Sequence, residues 1–580
     1  MAGLFILQAY QGFFFRSFKI WYTVLDFFRK RRFLRMANKA KQSVQELLSH
    51  RFVKEILGIY LFLIFVVYPL YYEDAYYNMG DAKWNFFRTV TYYIDGPMVK
   101  IPTFLVLLLI FFIWYQIDLI RSKSIVDFWK KNVTLTDKFV LFYLVACLIS
   151  TVLSPDKDTV IWGYNGWYMG MIAQFAFCAL YFFVSRFWRW DDIMIAFYLL
   201  ASAIVNLLGV LNRFHIDPLN MYEGLDEYYL TLFLSTLGQS TWYSSYVMIF
   251  FPIGLFMYWF AEKKWVRKLT FVYMVIGFMT ALVQDSDSAL FALYASLLTL
   301  FSFSFRENKY MKRFIEIILT MLLSWRVIGF FRMAFPERAV PLGGIMTYAA
   351  QGPALWLLII LIAVIYVILT KKDKEGKADI TGFSFLRTAV YVLTLLGILL
   401  AVIYIYLNTK KLLPPSLSSD SWYLVFDEFW GNNRGSSWMV TLDSIRQTVF
   451  LEPVRFVFGA GPDCFYDTVY NYHAEELIAK WGENTVLTCA HNEWMSQIVN
   501  TGIIGGIAYL GIFVSAFVTF VKKSDKIPEL IAPAMCVAAY FWHNFFCYQQ
   551  IICTPIIFII MGAGISIVRT GGLRAIYEAD

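Results

Sequence analysis

Between residues 51 and 570 the chain is dominated by apolar runs of roughly twenty residues, such as FLVLLLIFFIWYQIDLI (104–120) and ALWLLIILIAVIYVILT (354–370). A helix of about twenty apolar residues spans the hydrocarbon core of a bilayer, so runs of this length fix the fold class as all-α and polytopic. A transmembrane β-barrel would show short alternating segments instead. The composition agrees: 59% of residues are hydrophobic and 19% aromatic, against about 45–50% apolar in a soluble domain. The mean hydropathy is +0.57.

The runs predict about fourteen spans, near 53–72, 101–120, 137–154, 169–185, 192–211, 241–261, 269–285, 288–304, 314–331, 353–370, 386–407, 494–521, 528–545 and 549–568. Charge orients them. RSKSIVDFWKK (121–131), EKKWVRK (262–268), RENKYMKR (306–313), KKDKEGK (371–377) and KKSDK (522–526) are basic and alternate with acidic or neutral loops such as YYEDAYYNMGD (71–81). The positive-inside rule then puts both termini in the cytoplasm, and an even number of spans agrees with that. The net charge of +8 follows from these loops and points to no nucleic-acid partner.

Four regions result. Residues 1–50 mix aromatics with Arg and Lys and do not read as a cleaved signal peptide. They fit a helix lying in the inner membrane interface, or a soluble arm. Residues 51–407 hold spans one to eleven. Residues 408–491 form one long loop, expected outside, with helical-looking pieces at 436–450 and 472–481 and turn clusters WGNNRGSS (430–437) and FGAGPD (458–463). Loops of this length are functional or disordered, and these pieces read as a folded extracytoplasmic subdomain. Residues 492–580 hold the last three spans and a cytoplasmic tail.

The polar triplet His491-Asn492-Glu493 stands directly before the twelfth span, whose glycines Gly502, Gly505 and Gly506 allow another backbone to come close. A histidine at the lip of a membrane helix is costly unless it faces protein or water, so it marks a candidate site. The bland reading is an interfacial histidine that packs locally. Cys464 and Cys489 both fall in the long loop, where a disulfide and two free thiols fit equally. No CxxC pair, Walker A motif, HExxH or GxSxG is present.

Three stretches resemble the O-antigen ligase/polymerase superfamily. LGQSTWYSSYVMIFFPIGL (237–255) is similar to the family's start of a middle helix. NRGSSWMVTLDSIRQTVFLEPVRFVFGAGPDCF (433–465) is similar to its Arg-x-x-x-Trp helix, here Arg434 to Trp438, followed by a Gly-x-Gly turn. AHNEWMSQIVNTGIIGGIAYL (490–510) is similar to its His-Asn signature. The resemblance runs from roughly Lys138 to Val521. It implies a GT-C-like membrane glycosyltransferase that takes a glycan from an undecaprenyl-pyrophosphate carrier at the outer face of a bacterial plasma membrane. The acceptor is a hydroxyl on another glycan or a lipid-linked sugar, and the reaction inverts the anomeric centre without metal or other cofactor.

The residue types suit that chemistry. A departing pyrophosphate needs cations, and arginine offers a planar fork of donors. The resemblance marks Arg434 for this role. Arg446, twelve residues on, lies about three and a third turns along the same predicted helix, on a broadly similar face. His491 is then a general base for the acceptor hydroxyl or a hydrogen-bond donor, and Asn492 and Glu493 orient the imidazole or the sugar. Asp287, in QDSDSALFAL (284–293), stands where ligases of the family often carry arginine. It is expected to contact acceptor sugar, act as base or hold a cation, or merely to sit in a turn starting the eighth span. The missing cation is then supplied from elsewhere, with Arg213 and His215 the nearest candidates. Trp162, Tyr164, Trp167, Tyr168, Trp242, Tyr243, Trp422, Trp430 and Trp438 crowd the external pieces. A glycan groove needs such rings, and so does the interfacial belt of any membrane protein. The rival function is a transporter or flippase of a lipid-linked glycan, which needs charges buried near mid-membrane. The spans here are nearly free of them.

Overall fold

The computed structural model describes residues 44–96, 99–483 and 485–572. The interfacial helix expected in 1–50 lies almost wholly outside them. Its last residues belong instead to the first membrane helix, since Val44–Phe62 is continuous across residue 50.

Among the described residues eleven helices are long and apolar enough to cross a membrane. The spans expected at 169–185, 528–545 and 549–568 coincide with shorter helices, Met171–Phe187, Ile531–His543 and Thr554–Thr570. Among the described residues strands are confined to two small antiparallel hairpins, Tyr93–Asp95 with Lys100–Pro102 and Phe233–Leu234 with Gly238–Gln239. The protein is therefore an all-helical, multi-pass membrane protein.

The centre of the bundle is formed by Ser240–Phe260, Asp287–Ser304 and Ile531–His543, packed together beside Glu493–Lys523, which lies along Leu135–Leu153. Ser240–Phe260 is the most enclosed of the long helices, with 83% of its apolar window buried. At the other extreme Ala354–Lys374 and Thr381–Thr409 have 11% and 0% of theirs buried. Their apolar side chains face outward, as lipid-facing helices do. Phe385–Thr409 meets the bundle through hydroxyl pairs, Tyr294–Thr394 at 2.5 Å and Ser302–Tyr391 at 2.7 Å.

The long loop folds into a cap of three helices, Trp430–Leu451, Pro453–Phe458 and Phe465–Trp481. Its small core gathers Val440, Phe465, Val469, Leu477, Leu487 and Ala490 around Val499 of the long helix. The cap therefore completes its core on the bundle. The join is a pair of facing turns. Gly502 bends the long helix with φ 70°, ψ 176°, a conformation open essentially to glycine. The bend leaves the carbonyls of Val499 and Asn500 for the cap: Ala460 N–H donates to Val499 O at 3.0 Å and Gly461 N–H to Asn500 O at 2.8 Å. A Cβ on Gly502 would stand 2.2 Å from Val457 O, and one on Gly459 2.3 Å from Asn500 O. Gly502 thus admits a neighbouring backbone, as its sequence setting suggests, and that backbone is the cap's own Gly-Ala-Gly turn.

A candidate glycosyl-transfer site beneath the cap

The segment 544–553, between Ile531–His543 and Thr554–Thr570, forms the floor of the site. Its side chains reach the start of the long helix, the cap and the bundle. Asn544 Nδ2 donates to the Glu493 carboxylate. Phe546 stacks on Trp438 of the cap at 5.9 Å and on Phe291 of the bundle at 5.3 Å. Tyr548 meets His491 edge-on at 5.2 Å. The sequence shows this stretch only as a polar seam between two apolar runs, and reading it that way misses its role.

His491 is the last residue before the N-cap of the long helix and has left-handed backbone, with φ 50°. Asn492 is the cap itself: its Oδ1 accepts from Met495 N–H at 3.1 Å, satisfying a donor that the first helical turn leaves free. The imidazole of His491 is half-buried and has no hydrogen-bond partner among the described residues. Burial pushes its pKa down to about 4, and the nearby Arg434 charge adds to the effect. It is a neutral imidazole with an open nitrogen at neutral pH.

Arg434 follows three consecutive residues with left-handed backbone: Gly431 (φ 58°), Asn432 (φ 64°) and Asn433 (φ 65°). Glycine and asparagine are the residues that take this conformation most readily. The turn folds the guanidinium back so that Nη1 donates to Gly431 O at 2.8 Å, while Nε is buried without a partner. The Arg434 charge is felt at His491 and at Tyr548. An arginine with donors to spare and a neutral histidine with a vacant nitrogen therefore share one electrostatic neighbourhood. Trp438, one turn on, packs against Trp430 at 5.1 Å and Phe546.

Asp287 joins the same rim. Its carboxylate accepts from Tyr423 Oη of the cap at 2.7 Å, so it fastens the cap to the start of helix Asp287–Ser304. Ser286 occupies the N-cap position without a side-chain cap bond. Asp285, with φ 58°, accepts the Gly343 N–H on both oxygens at 2.9 and 3.0 Å, and burial raises its pKa.

The other expected residues lie elsewhere. Arg213 is fully buried, with its guanidinium occupied by the carbonyls of Val283, Leu230 and Thr231 at 2.6–3.1 Å. It ties loops together and does not supply the missing cation. Arg446 is exposed. Twelve residues advance about 18 Å along a helix and turn by a third of a revolution, so it does not converge with Arg434. Glu493 is fully buried behind His491 and is held by Tyr540 at 3.0 Å, by Tyr509 at 2.5 Å and by Asn544. It fixes the floor segment, its carboxylate being taken up by these three side chains and not by the imidazole. Cys464 and Cys489 are both free thiols.

His543 is a site-region residue that sequence reasoning passes over. It is buried, with Nε2 at 3.0 Å from Ser244 Oγ and 3.2 Å from Ser288 Oγ, and Nδ1 at 3.0 Å from Asn544 Oδ1. Among the described residues no three His, Cys, Asp or Glu side chains gather as a metal site would need. A small cavity in the cap, lined by Ile445, Thr448, Arg455, Phe456, Thr468, Ile498 and Val499, includes none of the site residues.

Fold and site together define a multi-pass helical membrane protein with an arginine–histidine centre held under a cap. Residues 339–510 match the family described as O-antigen ligase, and this match supports the O-antigen ligase/polymerase superfamily for that stretch of the chain. The match takes in Arg434, Trp438, Arg446, His491, Asn492 and Glu493; Asp287 and the middle helix 237–255 precede it. No curated protein matches the chain. The match supports an O-antigen ligase/polymerase-like membrane function in surface polysaccharide biosynthesis.

Proposed function

We propose that the protein transfers or polymerises an undecaprenyl-pyrophosphate-linked glycan onto an acceptor hydroxyl at the outer face of a bacterial plasma membrane. The observation that carries this reading is that Arg434, whose buried Nε has no partner, lies close enough for its charge to act on His491. The acceptor oxygen attacks the anomeric carbon and the bond from that carbon to the pyrophosphate oxygen breaks. The pyrophosphate leaves with the electron pair, and the acceptor proton passes to the open nitrogen of His491. A single displacement inverts the anomeric centre. Arg434 meets the charge that develops on the leaving oxygen, where a pre-placed donor contributes most. No step calls on a metal.

The cap and the basic loops between spans support the outer-face assignment through the charge rule, which also puts both termini inside. A transporter needs charged groups along a path through the bundle. The open cation and imidazole lie together at one end of it, which favours chemistry over passage.

The test uses purified protein in lipid vesicles with an undecaprenyl-pyrophosphate glycan. A longer or transferred glycan and free carrier pyrophosphate are expected. Arg434→Ala and His491→Ala should each lower turnover about 10²–10³-fold while eluting as folded protein. Full activity in both variants, or carrier translocated without a new glycosidic bond, overturns the reading.

A further inference from the structure

The proposed chemistry needs a place for the sugar that carries the attacking hydroxyl, and it must open onto His491 beside Arg434. Three segments far apart in sequence meet there. Tyr548, which packs edge-on against His491, is flanked by Trp167 at 4.7 Å, also edge-on. Its hydroxyl accepts from Trp242 Nε1 at 3.2 Å and donates to Gln239 Oε1 at 3.0 Å. Trp167, Trp242 and Gln239 are half-buried, so each keeps an open side. The Gln239 amide N–H groups have no partner among the described residues, and a Cβ on the neighbouring Gly166 would meet open space.

The loop bearing Trp167 is fixed from the cap. Asp463 Oδ2 accepts from Tyr164 N–H at 2.7 Å and from Met169 N–H at 2.9 Å. Trp242 lies against Gly80, 3.4 Å from where a Cβ would stand, at the start of a helix whose Trp84 stacks flat on Tyr168 at 4.5 Å. Aromatic rings of an interfacial belt point at headgroups and need no such organisation. Here the Trp242 indole N–H and the Gln239 amide hold the Tyr548 ring beside His491, Trp167 packs on its edge, and the contributing side chains carry no cation.

Resting on the reading above, we propose that Trp167, Trp242, Gln239 and Tyr548 form the binding subsite for the acceptor sugar, an uncharged hydroxyl-rich pyranose. Its apolar CH face packs on the indoles and its hydroxyls bond to the Gln239 amide. Arg434 approaches His491 from the cap and holds the pyrophosphate. The aromatic set approaches it from the bundle and delivers the acceptor. Rings placed this way supply contact area with little ordering cost, and amides supply directional bonds.

The experiment varies acceptor and donor separately, with full-length protein in vesicles and neutral hexose and N-acetylhexosamine oligosaccharides as soluble acceptors. Trp167→Ala, Trp242→Ala and Gln239→Ala are each expected to raise acceptor KM about tenfold or more, leaving donor KM within threefold. Trp167→Phe, which keeps a ring, should recover most of the loss. A rise in donor KM instead assigns the rings to the donor sugar and overturns the proposal, as does an unchanged acceptor KM. Saturation-transfer NMR with the same oligosaccharides separates this proposal from the reading beneath it. Signal lost in Trp167→Ala supports the subsite even where no transfer occurs, and equal signal in both proteins overturns it.

Discussion

His491, Arg434 and Asp463 show how single side chains are set by their surroundings. With a pKa near 4, His491 is unprotonated through the neutral range, so turnover should be flat there and fall as pH drops through about 4–5. Arg434 contributes to that low value, so in the residual activity of Arg434→Gln the acid limb should move to higher pH. A limb that stays put separates the two residues. His491→Gln, which keeps a donor but not a base, should be as inactive as His491→Ala. Asp463 behaves in the opposite sense. Burial raises its carboxyl to about 7, above its usual value of about 3.8, so the folded state holds a proton that the unfolded chain releases. Stability is then greatest below about pH 4 and declines as pH rises to about 7, by on the order of a few kcal/mol. Both amide N–H groups reach the same oxygen, so Asp463→Asn keeps both bonds. Its melting temperature in detergent should exceed that of the wild type at pH 8, while Asp463→Ala should lower it. At this scale Arg434 and His491 are legible in the sequence because each stands in a short motif. Arg213 is not, since an arginine holding three carbonyls and one with a donor left over look the same in a string of letters. Tyr548 and His543 are about fifty residues from His491, and nothing local marks them as its neighbours.

The elements that matter most are two interrupted helices. In Trp430–Leu451 the Gly-Asn-Asn stretch takes left-handed backbone that β-branched residues avoid. Asn432→Gly should therefore be tolerated, whereas Asn432→Val should reduce transfer about tenfold or more by displacing Arg434, with donor KM the quantity to measure. In Glu493–Lys523 the bend at Gly502 exposes two carbonyls that dock the cap. Gly502→Ala should cost about 1–3 kcal/mol in backbone strain besides the clash with Val457 O. Limited proteolysis should then cut the cap faster; Gly58→Ala, where a Cβ meets nothing within 4 Å, is the matched control. The turn cluster 430–437, the helical pieces 436–450 and 472–481 and the Gly-x-Gly turn are readable from composition. Which carbonyls the turn binds is not, because that depends on a bend forty residues later.

For the molecule as a whole, the length of each apolar run makes the spans legible. The start of the first one is drawn late because Val44–Phe62 opens with polar residues on a continuous helix. The short helices Met171–Phe187 and Thr554–Thr570 are matched because they pack on each other, and their enclosed faces do not need full bilayer length. Orientation rests on charge. A single cysteine placed in KKDKEGK (371–377) should be shielded from an impermeant maleimide in intact spheroplasts, and one at exposed Asp420 should be labelled; the reverse pattern inverts the topology.

Beyond its bend at Gly502 the long helix runs on to Lys523, about 32 Å at 1.5 Å per residue, close to a hydrocarbon core of about 30 Å. How far it leans depends on the thickness of the lipid around it. Because its bend carries the cap, a change of lean is passed to the spacing between guanidinium and imidazole. Membrane thickness thereby becomes a setting of the catalyst, and turnover in vesicles of graded acyl-chain length should pass through a maximum.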